Sequence, residues 1–353
     1  MTSRRRFLAA SGTVATAGLS GCLAELGRLY TSNEPPVVSN RPDEVYVPTH
    51  TEGMGMVGSA DAGDLRVGVF YSYPHRFWVM ADEGDGFGTS KTSVEAGDDV
   101  HLMASVWDPE TGVVVPDTGL SIEIARGGDL VSEEVVYAML SQRMGFHYGS
   151  NFGLDGDGTY DVTVDVGAPS LRLFGDLAGR FESPATATLD FEYSAGDRDD
   201  IPYTMLDDKQ GDPGAVKPME MDGLPLGRAP EALPGASLGE ATTGSLRLVG
   251  TALDADRFGD DPYLAVSPQT PYNRLLVPRL GLTATVASGG STRFDGRLDP
   301  GLDADLGFHY GASVPGLAGD DATVDLAVDV PPQVARHEGY ETAFLEFDPV
   351  RLG

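Results

Sequence analysis

Imidazole and thioether side chains are concentrated in one half of this chain. Of six histidines, four (His50, His75, His101 and His147) stand in the first half, and all nine methionines after the initiator lie between Met54 and Met221. A purely core-filling role would spread methionine over both halves. In Asp99-Val100-His101-Leu102-Met103-Ala104 the two-residue period of a strand puts His101 and Met103 on one face and Val100, Leu102 and Ala104 on the other. Met54 and Met56 flank Gly55 at the same spacing, and Met144 precedes His147 across Gly145, where a tight turn can fold the pair together. Met80 and Met139 complete the set in this half. Imidazole nitrogen combined with thioether sulfur suits soft or borderline metals, copper above all, better than magnesium or calcium. The competing reading is packing, in which hydrogen-bonded core histidines are surrounded by methionine.

Strands must position these groups. Leu65 to Tyr73, Asp99 to Trp107, Leu120 to Ile124, Thr159 to Val166 and Thr186 to Tyr193 are rich in Val, Ile, Thr, Tyr and Phe and are separated by Gly/Asp/Pro turns. No long segment of helical period interrupts them, so an all-β sandwich is expected. Residues 195–240 change character, with prolines, glycines and acidic clusters, and read as a linker. A second strand-rich region occupies 241–353. It echoes the first: Gly145-Phe146-His147-Tyr148-Gly149 recurs as Gly307-Phe308-His309-Tyr310-Gly311, each before an alternating strand. Arg180-Phe181-Glu182 with Leu189-Asp190-Phe191 also matches Arg336-His337-Glu338 with Leu345-Glu346-Phe347. The predicted organisation is two sandwiches in tandem, at 44–194 and 241–353.

Charge narrows the partners. The 353 residues carry 24 basic and 54 acidic side chains, a net charge of −30, and the only lysines are Lys91, Lys209 and Lys217. A nucleic-acid surface needs clustered Lys and Arg and is excluded. An acidic, lysine-poor composition of this kind looks like that of haloarchaeal proteins, whose carboxylate coat is screened by concentrated salt. Residues 3 to 9, Ser-Arg-Arg-Arg-Phe-Leu-Ala, with the small-residue stretch that follows, resemble a twin-arginine export signal, and Leu19-Ser20-Gly21-Cys22 looks like a lipobox. Cys22 is the only cysteine, which forbids intrachain disulfides and suits lipidation. The expected layout is a signal at 1–21 and a tether at 22–43. The mature chain would carry −30 − 3 = −33 once Arg4, Arg5 and Arg6 are removed, and would be anchored to the outer face of the cytoplasmic membrane.

Around Asp99-Val100-His101-Leu102 and His147-Tyr148-Gly149, the latter followed by Asn151, Gly158, Thr159 and Tyr160, the stretch from Val45 to Tyr193 resembles the periplasmic iron-transport lipoproteins and antigens that bind copper, with iron or manganese. The resemblance implies immunoglobulin-like β-sandwich domains that pair as dimers, and a role beside a membrane permease in ferrous-iron uptake. It implies a metal held by the His of the strand, the His of the turn, a Met shortly before that turn and a further His, assisted by a carboxylate. Here His101 and His147 match the first two, and Met139 or Met144 the third. Met103 and Met144 stand where the family has acidic residues, an exchange that favours Cu(I) over Fe(II). The further His corresponds to Phe181, whereas the second repeat has His337 at its matching position. If the repeats pair as the subunits of a dimer do, His337 completes the first site. His309 lacks a strand histidine in Leu276-Val277-Pro278-Arg279-Leu280, taken as the comparable segment, and reads as a relic.

The expectation is therefore a lipid-anchored, extracytoplasmic protein that binds copper or iron through His101, His147, Met144, Met139, Met103, Met54, Met56 and His337. It would serve iron uptake rather than catalysis. Its partners would be the metal, the membrane through Cys22, an iron permease, and a second copy or its own second repeat. A metal-free cell-surface sandwich and a metal-dependent iron oxidoreductase are the competing readings. Gly235-Ala236-Ser237-Leu238-Gly239 fits a nucleophile-elbow pattern but sits in the linker. Asp155-Gly156-Asp157-Gly158 lacks the Glu that closes a calcium loop. Met219-Glu220-Met221 offers two thioethers to Cu(I) from the linker, with an incidental pairing as the favoured reading.

Overall fold

Alternation of apolar and polar residues builds the solvent-facing sheets. In Ala185–Tyr193 the side chains of Ala187, Leu189, Phe191 and Tyr193 are buried while their neighbours face water, and Gly158–Val166 follows the same rule. Val100–Trp107 instead is buried along its whole length, and Gly145–Phe152 nearly so. One face of these two strands enters the sandwich core, and the other must be covered by further chain. That covered outer face carries His101, Met103 and His147.

A computed structural model describes residues 36–82, 84, 86–221, 223–317 and 322–353. The export signal, Cys22 and most of the tether lie outside the described residues. In the first sandwich an eight-stranded sheet runs Gly55–Ala62, Leu65–Ser72, Val100–Trp107, Gly145–Phe152, Tyr137–Ser141, Ala335–Arg336, Phe77–Asp82, Phe87–Thr92. It is opposed by a four-stranded sheet, Ala185–Tyr193, Gly158–Val166, Leu120–Arg126, Asp129–Val135. The second sandwich has a six-stranded sheet, Arg172–Leu173, Asp299–Asp303, Gly307–Ser313, Tyr263–Gln269, Leu246–Leu253, Ala236–Thr243. Its four-stranded sheet is Ser291–Arg297, Gly281–Ser288, Ala322–Val330, Val350–Arg351. The chain is all-β, as expected, and the two sandwiches share one continuous apolar core.

Each sandwich lends the other a short strand. Ala335–Arg336, from the second repeat, inserts into the first sheet and pairs in parallel with Met139 and Leu140; Arg172–Leu173, from the first repeat, pairs in parallel with Gly301 and Leu302. The targets are equivalent, since 301 − 139 = 162 and the His-Tyr motifs are related by 309 − 147 = 162. Thr118 N–H donates to the Tyr148 hydroxyl and Leu280 N–H to the Tyr310 hydroxyl, both at 3.0 Å, again 162 residues apart. The Arg279–Asp117 ion pair, 3.1 Å, joins two equivalent positions across this pseudo-two-fold relation.

The segment read as a linker is structured. It holds the short helix Ala195–Asp199, the strand Tyr203–Met205 paired with His50–Glu52, and from Ala236 the first strand of the second sandwich. The end of the tether is also bound: Arg41 pairs with buried Glu341 at 3.1 Å, and Thr342 donates to the Pro42 carbonyl. Among the described residues no helix is long and apolar enough to cross a membrane.

Candidate metal centre

His101 and Met103 project together from the outer face of Val100–Trp107, and the antiparallel neighbour brings Asn151 opposite His101 and Gly149 opposite Met103. On the next strand Met139 lies opposite His147. The inserted strand pairs Ala335 with Met139, and the His337 N–H donates to the Leu140 carbonyl, which swings the His337 ring over this face. His101, His147 and His337 each offer one ligand nitrogen, and the three atoms lie within 4.8 Å of one another. Ring centroids stand 5.3 Å apart for His147 and His337 and 5.8 Å for His101 and His337.

Tautomers are fixed from behind. His101 Nδ1–H donates to Asn151 Oδ1 at 2.8 Å, and His147 Nδ1–H to the Gly145 carbonyl at 3.0 Å, so both Nε2 atoms keep a lone pair facing the group. The Nε2 atoms of His101, His147 and His337 are all buried with no hydrogen-bond partner. A buried polar atom left unpaired costs roughly 1–3 kcal/mol, and three aimed at one point are the geometry a bound cation would satisfy. Met139 Sδ belongs to the same place: a Cβ on Gly149 would stand 2.9 Å from His101 Nε2 and 3.3 Å from Met139 Sδ. Gly149 is therefore the floor that lets the thioether and the imidazole approach.

Burial holds His101 and His337 well below the usual imidazole range, and neighbouring imidazoles add to the effect. His147 is pushed down to about 4, again chiefly by burial. All three are neutral near pH 7, the form that ligates metal. The ring of His75, in the loop before Phe77–Asp82, lies tilted with its centroid 4.0 Å from that of His101 and 4.8 Å from that of His337. Asn151 holds that loop too, donating to the His75 carbonyl at 3.1 Å. A loop residue such as His75 has no periodicity in the sequence that could have pointed it inward.

The backbone carrying His337 is anchored by buried charge. Arg336 donates to the Pro332 and Phe344 carbonyls, both at 3.2 Å, and to Met80 Sδ. Glu338 accepts from Thr49 at 2.8 Å and pairs with Arg76 at 3.4 Å. Glu341 accepts from the Gly339 N–H at 2.7 Å and from the Tyr46 hydroxyl.

The other methionines go elsewhere. Met103 and Met144 pack on Phe70 with Met54 and Met221, a cluster separate from the one in which Met139 meets Phe77 and Ala335. Met144 turns away because Gly145 takes φ +66° and Ser141 Oγ accepts from the Met144 N–H. Met56 is 49% exposed. Met103 and Met144 thus pack in the Phe70 cluster, and the thioether that the structure sets beside His101 Nε2 at Gly149 is that of Met139.

The second repeat supplies an internal comparison and two corrections. The counterpart of His101 is Tyr263, not a residue of Leu276–Leu280: Tyr263 lies opposite Ser313 as His101 lies opposite Asn151, both pairs related by 162. The counterpart of His337 is Phe174, at the end of the strand lent to the second sheet, rather than Phe181. Phe181 sits under the Arg180 guanidinium, which is occupied with Asp108 at 3.0 Å. His309 Nδ1–H donates to the Gly307 carbonyl, but its Nε2 accepts from the Tyr263 hydroxyl at 3.2 Å. Gly301 replaces Met139, and Phe174, Phe258 and Tyr263 fill the space. The second pocket has every polar atom of its histidine satisfied; the first does not.

Comparison with known proteins bears on the first sandwich. Residues 56–195 match the family model described as Fe2+ transport protein. Residues 231–353 match a second family, described as Domain of unknown function (DUF7350). No curated protein matches the chain. Among solved structures, a copper-bound variant of FetP from uropathogenic Escherichia coli strain F11 is 24% identical, covering 40% of this chain and 97% of FetP, with a TM-score of 0.31. The as-isolated FetP of the same strain is 20% identical, covering 41% and 96%, with a TM-score of 0.29.

Proposed function

We propose that the chain is an extracytoplasmic metal-binding protein that serves iron uptake, holding copper between His101, His147, His337 and Met139. The observation that carries this reading is the convergence of three buried, unpartnered Nε2 atoms drawn from both repeats. Similarity of residues 56–195 to the Fe2+ transport protein family supports the link to iron. Three imidazoles and one thioether suit copper in either oxidation state; among the described residues no carboxylate belongs to the group, as a resident iron or manganese ion would favour. Three nitrogens about 2 Å from one ion stand about 3.3–3.5 Å apart, so binding shortens the longest edge of the trio, now 4.8 Å, by about 1.5 Å. The protein acts as a carrier or metal-sensing accessory rather than as an enzyme, held to the membrane by lipid on Cys22 and working beside a permease.

Elemental analysis and Cu(II) titration of the full chain, purified in concentrated salt, test it. One equivalent of copper is expected in the wild type and none in His101→Ala/His147→Ala. Absence of stoichiometric metal in the wild type would favour a metal-free surface sandwich, and binding unchanged in the double variant would place the metal elsewhere.

A further inference from the structure

Of the eight methionines that remain after the initiator and Met139, four share one cluster. Met103 comes from the strand Val100–Trp107 and Met144 from the turn before Gly145–Phe152, and both are buried. Met54 precedes Gly55–Ala62, and Met221 lies in the segment between the two sandwiches; both are partly buried on the same cluster, around Phe70. Strand pairing sets Phe70 opposite Met103, so the cluster lies on the same outer sheet face as His101, two residues along one strand.

The segment that brings Met221 is tied down beside Met144. Val216 N–H donates to Gln142 Oε1 at 2.8 Å, Arg143 Nη1 to the Lys217 carbonyl at 2.9 Å, and Met219 N–H to the Arg143 carbonyl at 2.8 Å. The Leu224 N–H then closes a turn onto the Met221 carbonyl at 3.2 Å. Four methionines from four separate segments thus share one cluster with Phe70 and Leu224, in a patch with two members buried and two partly open. Leucine would fill an apolar patch of this kind with fewer rotamers to freeze, and the second repeat, which has no methionine, packs its core without them.

We propose that Met54, Met103, Met144 and Met221 form a second, thioether-only site for a soft monovalent cation, Cu(I) or its analogue Ag(I), beside the imidazole centre. Neutral thioether ligands in an apolar patch select such an ion over Fe(II), Zn(II) and Cu(II), which favour imidazole, carboxylate or thiolate donors. Phe70 offers its ring as a further soft contact for a cation. Met54 and Met221, the partly exposed members, form the mouth, and Met103 the inner end, next in line to His101. The site has its own donors, so it stands or falls separately from the copper centre.

Ag(I) titration of the full chain is the test, with Met methyl carbons labelled with 13C and observed by NMR. In His101→Ala/His147→Ala one equivalent of Ag(I) is expected to bind, shifting the methyl signals of Met54, Met103, Met144 and Met221 together while those of Met80 and Met205 stay. Met103→Leu/Met144→Leu, which keeps volume, is expected to lose that equivalent and retain one equivalent of Cu(II). Silence of the four methyl signals in the imidazole-depleted variant would overturn the proposal, as would full Ag(I) stoichiometry in the leucine variant. Should either variant fail to fold, the wild-type methyl spectrum decides: one saturating equivalent of Ag(I) must move these four signals beyond any effect on Met139, and their failure to move would overturn the site.

Discussion

Removing His337 tests the part of the account that depends on the two repeats acting together. Its ring reaches the first sheet only because Ala335–Arg336 is inserted between Tyr137–Ser141 and Phe77–Asp82. In His337→Ala two imidazoles and Met139 remain. Loss of supporting groups around a metal costs about 10–100-fold in affinity, and loss of a ligand is at least as costly, so we take roughly 100-fold, about 2.7 kcal/mol. With copper at about 100 times the wild-type dissociation constant, binding stabilises the wild type by about 2.7 kcal/mol but the variant by only about 0.4 kcal/mol. At about 2–4 °C per kcal/mol for a fold of this size, the copper-dependent rise in melting temperature falls from roughly 5–10 °C to about 1 °C. Calorimetry of apo and copper-loaded protein in concentrated salt reads the difference within each variant, so any change in apo stability cancels. His309→Ala is the matched control, because its Nε2 is already satisfied by Tyr263, and it is expected to keep the full copper-dependent rise. A His337→Ala protein that keeps that rise would refute the cross-repeat site.

Three further outcomes follow from the same geometry. Gly149→Ala places a methyl 2.9 Å from His101 Nε2, 3.0 Å from the Leu102 carbonyl and 3.3 Å from Met139 Sδ; it should cost about 1–3 kcal/mol in urea unfolding and weaken copper binding, and wild-type affinity would contradict the placement of Met139. Asn151→Ala frees the His101 tautomer and the His75 loop, and copper affinity should drop about 10–100-fold by titration with the imidazole ligands intact; an unchanged affinity would show that the second hydrogen bond is idle. His309, held at about 4 by burial, stays neutral in the folded state below its ordinary value of 6.5, while the unfolded chain takes up a proton. Its contribution is therefore constant above pH 6.5, and stability falls as pH drops from 6.5 to about 4, by about 3 kcal/mol from this group alone. His309→Gln should show a shallower loss of stability between pH 7 and 4.5 in urea titrations of apo protein, and identical slopes would contradict the burial argument.

Much of this was legible in the residues themselves. The period of two that set His101 and Met103 on one face is a local property, and it holds in the strand Val100–Trp107. The repeated His-Tyr motif revealed the second sandwich, and its 162-residue spacing recurs in the structure in the Thr118–Tyr148 and Leu280–Tyr310 hydrogen bonds, whereas the match of Arg180 to Arg336 has a spacing of 156. The choice between Met139 and Met144 was not legible, since it depends on which residue a neighbouring strand sets opposite His147 and on the direction a left-handed Gly145 sends the turn. His337 was found through a match to Phe181, yet its true counterpart is Phe174, because the lent strands follow the parallel pairing of Ala335 with Met139 and of Arg172 with Gly301. The spacing of 162 would have led to Tyr263 and Gly301 directly. That Met221 joins Met54, Met103 and Met144 was not legible for another reason: a proline-rich segment reads as linker whether it hangs free or is tied to Gln142 and Arg143.

X-ray absorption at the copper edge, on the full chain loaded with one equivalent of Cu(II) and on the same sample after reduction, tests the central claim most directly. The account predicts imidazole scattering from three nitrogens at about 2 Å with one sulfur at a longer distance near 2.3 Å, and the loss of one imidazole in His337→Ala and of the sulfur in Met139→Leu. A shell of oxygen alone, or an imidazole count unaffected by His337→Ala, would contradict it.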